Sequence, residues 1–127
     1  MKDDKLTVLV IDDDPLYRQT LQDILSDGGY DVLLAENGKE GSKAVARDRI
    51  DLVVCDILMP EKDGIEIILE LRNSHPGLKI IAVSGGRLES GLHLHAARQL
   101  GADAGLEKPI HSAELLNLAA RLTAGCD

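Results

Sequence analysis

Short apolar runs alternate with amphipathic segments along the 127-residue chain. The apolar runs are rich in β-branched residues and nearly continuous, which is typical of strands buried on both faces of a sheet. They predict strands at Leu6–Ile11, Asp31–Ala35, Asp51–Asp56, Lys79–Val83 and Gly105–Glu107. The intervening segments repeat apolar residues every three to four positions, the spacing of one helical face. They predict helices at Pro15–Ser26, Gly38–Ala46, Gly64–Arg72, Ser90–Leu100 and Ser112–Leu122.

Five β–α units in strict alternation predict an α/β fold with a parallel sheet. The sheet is expected to be doubly wound, with helices on both faces in a three-layer sandwich. Because crossovers are right-handed, few topologies remain, and the flavodoxin-like strand order 2-1-3-4-5 is the commonest at this size. A chain of this length is typical of one domain, so we expect residues 1–127 to form a single core.

Composition and charge exclude several classes of function. The net charge is −8, and Tyr17 and Tyr30 are the only aromatic residues. An acidic surface repels a phosphate backbone, and base-stacking platforms need aromatic side chains, so direct nucleic-acid binding is not expected. Cys55 and Cys126 are too few for a disulfide framework, and Cys55 has the surroundings of a core residue. The sequence contains neither a signal segment nor a membrane-spanning run, so we expect a cytoplasmic protein.

Charged and hydroxylic residues follow four of the predicted strands. In an open α/β sheet the ligand site lies beyond the carboxyl ends of the strands, where the strand order reverses. These ends carry Asp12, Asp13 and Asp14 after the first strand, Asp56 at the third, Ser84 at the fourth and Lys108 at the fifth. The hydrophobic periodicity requires none of these residue types, so they define a candidate site.

The aspartates indicate either a cation site or a solvated rim. Asp14 precedes Pro15 and is expected to cap the first helix. This leaves Asp12 and Asp13 close to Asp56 without a structural role. Carboxylates about 4 Å apart repel by about 4 kcal/mol at an effective dielectric of about 20. A bridging Mg²⁺ would relieve the repulsion, since it prefers oxygen ligands, but the residue types alone also allow three solvated side chains.

Asp56 is the candidate reacting group because aspartate can form a covalent acyl phosphate. A transferred phosphoryl group needs its oxygens neutralised, and Mg²⁺, the ammonium of Lys108 and the hydroxyl of Ser84 offer this. Lys108 precedes Pro109, a position at which a cis peptide bond is accessible. Taken singly, Lys108 is better explained as a surface lysine at a turn and Ser84 as the first residue of a loop.

The same residues lie within four segments of the sequence: VLVIDDDP, DLVVCDILMPEKDG, IIAVSGG and GADAGLEKP. In this order and spacing, the segments resemble the receiver domain of two-component response regulators. The resemblance implies that Asp56 is the phospho-acceptor and that Asp12 and Asp13 hold Mg²⁺ with the backbone carbonyl of Leu58. It further implies that Ser84 is the switch hydroxyl and that Lys108 pairs with the phosphoryl group.

The resemblance also implies the partners and the limits of the chemistry. The phosphoryl donor would be a sensor histidine kinase or a histidine phosphotransfer protein, and the signal would pass to a downstream protein. Catalysis would be restricted to self-phosphorylation from a donor and slow autodephosphorylation, so the protein is not expected to be a turnover enzyme. No output domain fits after Leu122, so we expect a single receiver domain, either as a stand-alone protein or as a piece of a longer one. Leu58 also occupies the position where a phosphatase of similar fold needs a second aspartate.

Gly105 departs from the family pattern, which usually has Tyr or Phe three residues before the lysine. The aromatic half of the family's switch is therefore absent. We expect the signal to pass instead through the Ser84–Gly86 loop and the fourth helix, with Gly105 leaving a shallow depression on that face. The alternative is a degenerate binding module of the same fold that phosphate does not regulate, although the complete set of site residues argues against it.

Overall fold

The computed structural model describes residues 5–57, 64–85, 95–99 and 101–124. Its strands are β1 (Thr7–Ile11), β2 (Asp31–Ala35), β3 (Leu52–Asp56), β4 (Lys79–Ser84) and β5 (Ala104–Glu107). Its helices are α1 (Pro15–Asp27), α2 (Gly38–Arg47), α3 (Gly64–Ser74), the helical residues 95–99 (α4) and α5 (Ser112–Thr123). The remainder of the predicted fourth helix, Leu58 and Cys126 lie outside the described residues.

The five strands form one parallel sheet in the order β2-β1-β3-β4-β5, so the predicted fold and topology are confirmed. The bounds of β2 match the predicted ones, and those of the other four strands differ by one residue, because backbone pairing decides where a strand begins and ends. Ser84, for example, pairs with Glu107 and extends β4. The order reverses between β1 and β3, which places the predicted crevice at their carboxyl ends.

Apolar side chains fill both faces of the sheet, which explains the nearly continuous apolar runs. One face packs against α2, α3 and α4, and the other against α1 and α5. Cys55 is fully buried in the first of these layers, as predicted. Within the described ranges, no helix is long and apolar enough to cross a membrane.

Helix α1 begins at the candidate site because of its first residues. Pro15 occupies the first turn, and the carboxylate of Asp14 accepts hydrogen bonds from the backbone N–H groups of Leu16 at 3.0 Å and Tyr17 at 3.5 Å. The predicted cap is therefore confirmed. A capped first turn fixes the direction of α1 as it leaves β1.

Helix α3 approaches the end of β3 through a glycine. A Cβ atom at Gly64 would overlap the Cα of Ile57 and the carbonyl oxygen of Asp56. Gly64 is thus required by the close contact between two backbones, and this contact fixes the end of β3 at the candidate site.

Arg72 joins several loops at the opposite edge of the sheet. Its guanidinium donates hydrogen bonds to the carbonyl oxygens of Gly101, Pro76 and Leu78, at 2.6 to 3.0 Å. It also pairs with the carboxylate of Asp103 at 2.8 Å. One side chain therefore connects α3 to the segments that lead into β4 and β5.

Candidate functional site

Three carboxylates meet where β1 and β3 end. Asp12 and Asp13 follow β1, Asp56 is the last residue of β3, and one ligand oxygen from each lies within 4.8 Å of the others. Asp12 and Asp56 are only 1% and 5% exposed, whereas Asp13 is exposed. Two acidic groups are thus held away from water and a third lies at the mouth of the site.

Asp12 also supports the backbone, a role that the sequence pattern does not predict. Its Oδ1 accepts a hydrogen bond from the N–H of Asp14 at 3.0 Å, which closes the turn into α1. Its backbone carbonyl accepts a hydrogen bond of 2.6 Å from the guanidinium of Arg18. The expectation that Asp12 has no structural role is therefore wrong. Its second oxygen, Oδ2, is buried and faces the ammonium of Lys108 at 3.3 Å.

Lys108 bridges the two buried carboxylates. Its Nζ lies 3.3 Å from Oδ2 of Asp12 and 3.3 Å from Oδ2 of Asp56, and its side chain is 18% exposed. The Lys108–Pro109 peptide bond is cis. The backbone N–H of Lys108 donates to the carbonyl oxygen of Ser84 at 2.7 Å, so the residue is held from both its backbone and its charged end.

The site alters the pKa values of two of its members. Burial raises the pKa of Asp12 above 3.8, and the charge of Asp56 adds to this, while the Asp14 N–H and Lys108 partly offset it. Burial alone lowers the pKa of Lys108, but attraction to Asp56 and Asp12 outweighs burial, so the pKa rises above 10.5. Lys108 is therefore an ammonium ion at neutral pH.

Ser84 reaches the same edge of the sheet from β4. It is fully buried, and its hydroxyl donates a long hydrogen bond of 3.5 Å to the carbonyl oxygen of Gly85. Its backbone carbonyl oxygen accepts the hydrogen bond from the Lys108 N–H, which links it to the site. Gly105 lies in β5 beside a groove of about 420 Å³ that α5 also lines.

Tyr17 belongs to the site although it is absent from the predicted set. Its ring lies beneath Lys108, with Nζ 4.1 Å from the ring centroid. Its hydroxyl accepts a hydrogen bond of 2.8 Å from the backbone N–H of Ile110, across 93 residues of sequence. In the sequence, Tyr17 is one apolar position of a helical stripe, and only the packing of α1 against the segment after β5 reveals the contact.

The donor set fits a hard divalent cation. The three carboxylates supply oxygen ligands of the kind that Mg²⁺ prefers. The buried Oδ2 of Asp12 lies 3.3 Å from the Lys108 ammonium, which is one positive charge beside the carboxylates of Asp12 and Asp56. Three carboxylates with one ammonium beside them leave excess negative charge in a largely buried site, which is costly, and a divalent cation would neutralise that charge.

The family model for the response regulator receiver domain matches residues 8–120. The chain belongs to this family. Receiver domains generally bind Mg²⁺ at an acidic pocket, and this structure contains an acidic cluster formed by Asp12, Asp13 and Asp56.

Curated relatives include the response regulators MprA of Mycolicibacterium vanbaalenii and Mycobacterium leprae. Both are 39% identical to this receiver domain, over 109 and 111 residues, which is 86% and 87% of the chain. The aligned parts are 46% and 48% of those two proteins, so the chain spans about half the length of the curated relatives.

Solved structures share the fold over nearly the whole chain. The receiver domain of NtrX from Brucella abortus superposes with a TM-score of 0.87 at 28% identity, covering 92% of this chain and 98% of that one. A receiver domain from Clostridium thermocellum has the same TM-score of 0.87 at 26% identity, covering 94% and 95%.

Proposed function

We propose that this receiver domain is a phosphorylation-controlled signalling switch in which Asp56 accepts a phosphoryl group. The observation that carries the proposal is the position of Lys108, whose ammonium lies 3.3 Å from both Asp56 and Asp12. A buried carboxylate with a cation beside it and two further carboxylates around it suits the transfer of a highly charged group.

In the proposed reaction, an Asp56 carboxylate oxygen attacks the phosphorus of a phosphohistidine on a partner. The new O–P bond forms as the P–N bond breaks, and the released imidazole takes up a proton from solvent. Lys108 already lies beside Oδ2 of Asp56 and pairs with an oxygen of the incoming group. Mg²⁺ would neutralise charge on that group, held by Asp12, Asp13, Asp56 and, as the resemblance implies, the carbonyl of Leu58.

The switch begins with the charge that phosphorylation adds, which is about −1.5 to −2 at neutral pH. This charge draws Lys108 away from Asp12, and the hydroxyl of Ser84 turns towards the phosphoryl group. The backbone N–H of Lys108 donates a hydrogen bond to the Ser84 carbonyl oxygen. Movement of either residue therefore shifts the end of β4. We expect the signal to continue through the following loop and α4, because Gly105 provides no ring to move.

The partners follow from this chemistry. A sensor histidine kinase or a histidine phosphotransfer protein donates the phosphoryl group in the cytoplasm, and a downstream protein recognises the altered surface. Direct binding to nucleic acid or to a membrane has no part in the proposal. The domain catalyses its own phosphorylation and slow dephosphorylation, and it turns over no other substrate.

A binding experiment separates this function from a degenerate module of the same fold. Beryllium fluoride mimics a phosphoryl group on a carboxylate, so wild type is titrated with it in the presence and absence of Mg²⁺. We expect saturable amide shifts at Asp13, Ser84 and Lys108 that require both ions and disappear in Asp56→Asn. A degenerate module would give no Mg²⁺-dependent shift, and that result would contradict the proposal.

A further inference from the structure

Tyr17 makes two separate contacts with the segment that carries Lys108. The ring face lies 4.1 Å from the Lys108 ammonium, and the hydroxyl accepts a hydrogen bond from the Ile110 N–H at 2.8 Å. These contacts fall on either side of Pro109. One side chain from α1 thus holds both the charged end of Lys108 and the backbone that follows it.

The platform that Tyr17 provides is rigid. Its backbone N–H binds the capping carboxylate of Asp14 in the first turn of α1, and its ring packs against the core layer beneath α1 and α5. Lysine, in contrast, has a flexible four-carbon side chain that occupies many rotamers. The negative face of an aromatic ring attracts an ammonium ion, so the ring restricts where Nζ can lie.

We infer that Tyr17 is a positioning residue, which holds the Lys108 ammonium against Asp12 and Asp56 in readiness for the phosphoryl group. The inference rests on the proposed function. Tyr17 and Tyr30 are the only aromatic residues of the chain. Tyr30 precedes β2, whose first residue pairs with the first residue of β1, so it lies at the opposite edge of the sheet. With glycine at position 105, Tyr17 is the aromatic residue that contacts the site.

Three variants separate the ring from the hydroxyl and from general packing. Tyr17→Leu removes both contacts, Tyr17→Phe keeps the ring, and Tyr30→Leu removes a tyrosine from the same core layer without touching the site. The first readout is the rate of Asp56 phosphorylation by acetyl phosphate at saturating Mg²⁺. We expect Tyr17→Leu to be about fivefold to tenfold slower than wild type, Tyr17→Phe to stay within about twofold, and Tyr30→Leu to be unchanged.

The second readout needs no phosphorylation. In wild type, the Lys108 ammonium proton resonance is expected to move upfield because of the ring current of Tyr17. The shift persists in Tyr17→Phe and disappears in Tyr17→Leu. The Ile110 amide, which loses its acceptor in both variants, is expected to exchange with solvent faster in both.

The two readouts distinguish failure of this inference from failure of the proposed function. Absence of any phosphorylation in wild type contradicts the proposed function, while the ammonium shift still tests the contact with Tyr17. If wild type is phosphorylated but Tyr17→Leu reacts at the same rate, or Tyr17→Phe is as slow as Tyr17→Leu, the inference is overturned. A wild-type Lys108 resonance without a ring-current shift overturns it too, even if Tyr17→Leu does not fold.

Discussion

The ammonium of Lys108 lies 3.3 Å from the carboxylate of Asp56, although 52 residues separate them in the chain. The contact depends on sheet order, because β4 lies between β3, which ends at Asp56, and β5, which leads to Lys108. The contact also places Asp56, which would receive a phosphoryl group, beside Lys108, whose ammonium would pair with that group.

Replacing Lys108 with methionine should destabilise the metal-free protein. The carboxylates of Asp12 and Asp56 then repel each other without a cation beside them, and we expect the free energy of unfolding to fall by about 1–3 kcal/mol. Added Mg²⁺ should recover part of the loss because it supplies positive charge at the same place. Urea unfolding with EDTA and with Mg²⁺ measures both effects. Lys39→Met, on the exposed side of α2, is the control and should change the free energy of unfolding by less than about 0.5 kcal/mol. Equal losses of stability in the two variants would contradict the prediction.

Asp12→Asn should stabilise the protein in EDTA at pH 7. The raised pKa means that the native state binds a proton at Asp12 more tightly than the unfolded state does. Stability is therefore lost as pH rises from the unfolded-state pKa, near 3.8, through the higher native-state value. Asparagine avoids this loss and keeps an Oδ1 acceptor for the Asp14 N–H, so we expect a gain of about 0.5–2 kcal/mol.

The gain from Asp12→Asn should shrink as the pH falls towards 3.8, where the wild-type carboxyl group is protonated. Urea unfolding of both proteins between pH 4 and pH 7, in EDTA throughout, measures this trend. A variant that is less stable than wild type at pH 7, or a difference that does not depend on pH, would show that Asp12 is not strained in the metal-free site.

Gly64→Ala should disrupt the end of β3. The added Cβ overlaps backbone atoms of Ile57 and Asp56, which cannot move aside as a flexible side chain can. We expect a loss of about 2–4 kcal/mol in the free energy of unfolding. Gly77→Ala is the matched control, since a Cβ there meets no atom within 4 Å. Thermal unfolding of both variants checks the prediction, and similar melting temperatures would refute it.

Arg72→Lys should also be destabilising, although it keeps the charge. A lysine ammonium cannot match the planar guanidinium that reaches Gly101, Leu78 and Asp103 together. We expect a loss of about 1–3 kcal/mol. Arg121→Lys, exposed on α5, is the control, and urea unfolding is the measurement. If Arg72→Lys is as stable as its control, the hydrogen bonds of Arg72 contribute little to stability.

Alternating buried strands and amphipathic helices were enough to predict the order of the elements and of the strands. The carboxyl-end rule then predicts that Asp12 and Asp56 share one edge of the sheet. Both inferences need only the local pattern and the handedness of the crossovers, so neither depends on the details of side-chain packing.

Contacts between distant segments were beyond prediction from the pattern. The sequence pattern indicates only that Tyr17 is one apolar position of α1, and nothing in the sequence links Tyr17 to Ile110, 93 residues later. Arg72 likewise reads as a basic residue in the last turn of α3. The second role of Asp12, as acceptor for the Asp14 N–H, requires knowing how tightly the chain turns after β1.

Intact-mass measurement after incubation with acetyl phosphate and Mg²⁺ tests the central claim most directly. We predict that wild type gains the mass of one phosphoryl group, that Asp56→Asn gains none, and that EDTA suppresses the gain. Wild type without an adduct, or an adduct that persists in Asp56→Asn, would contradict the assignment of Asp56 as the phospho-acceptor.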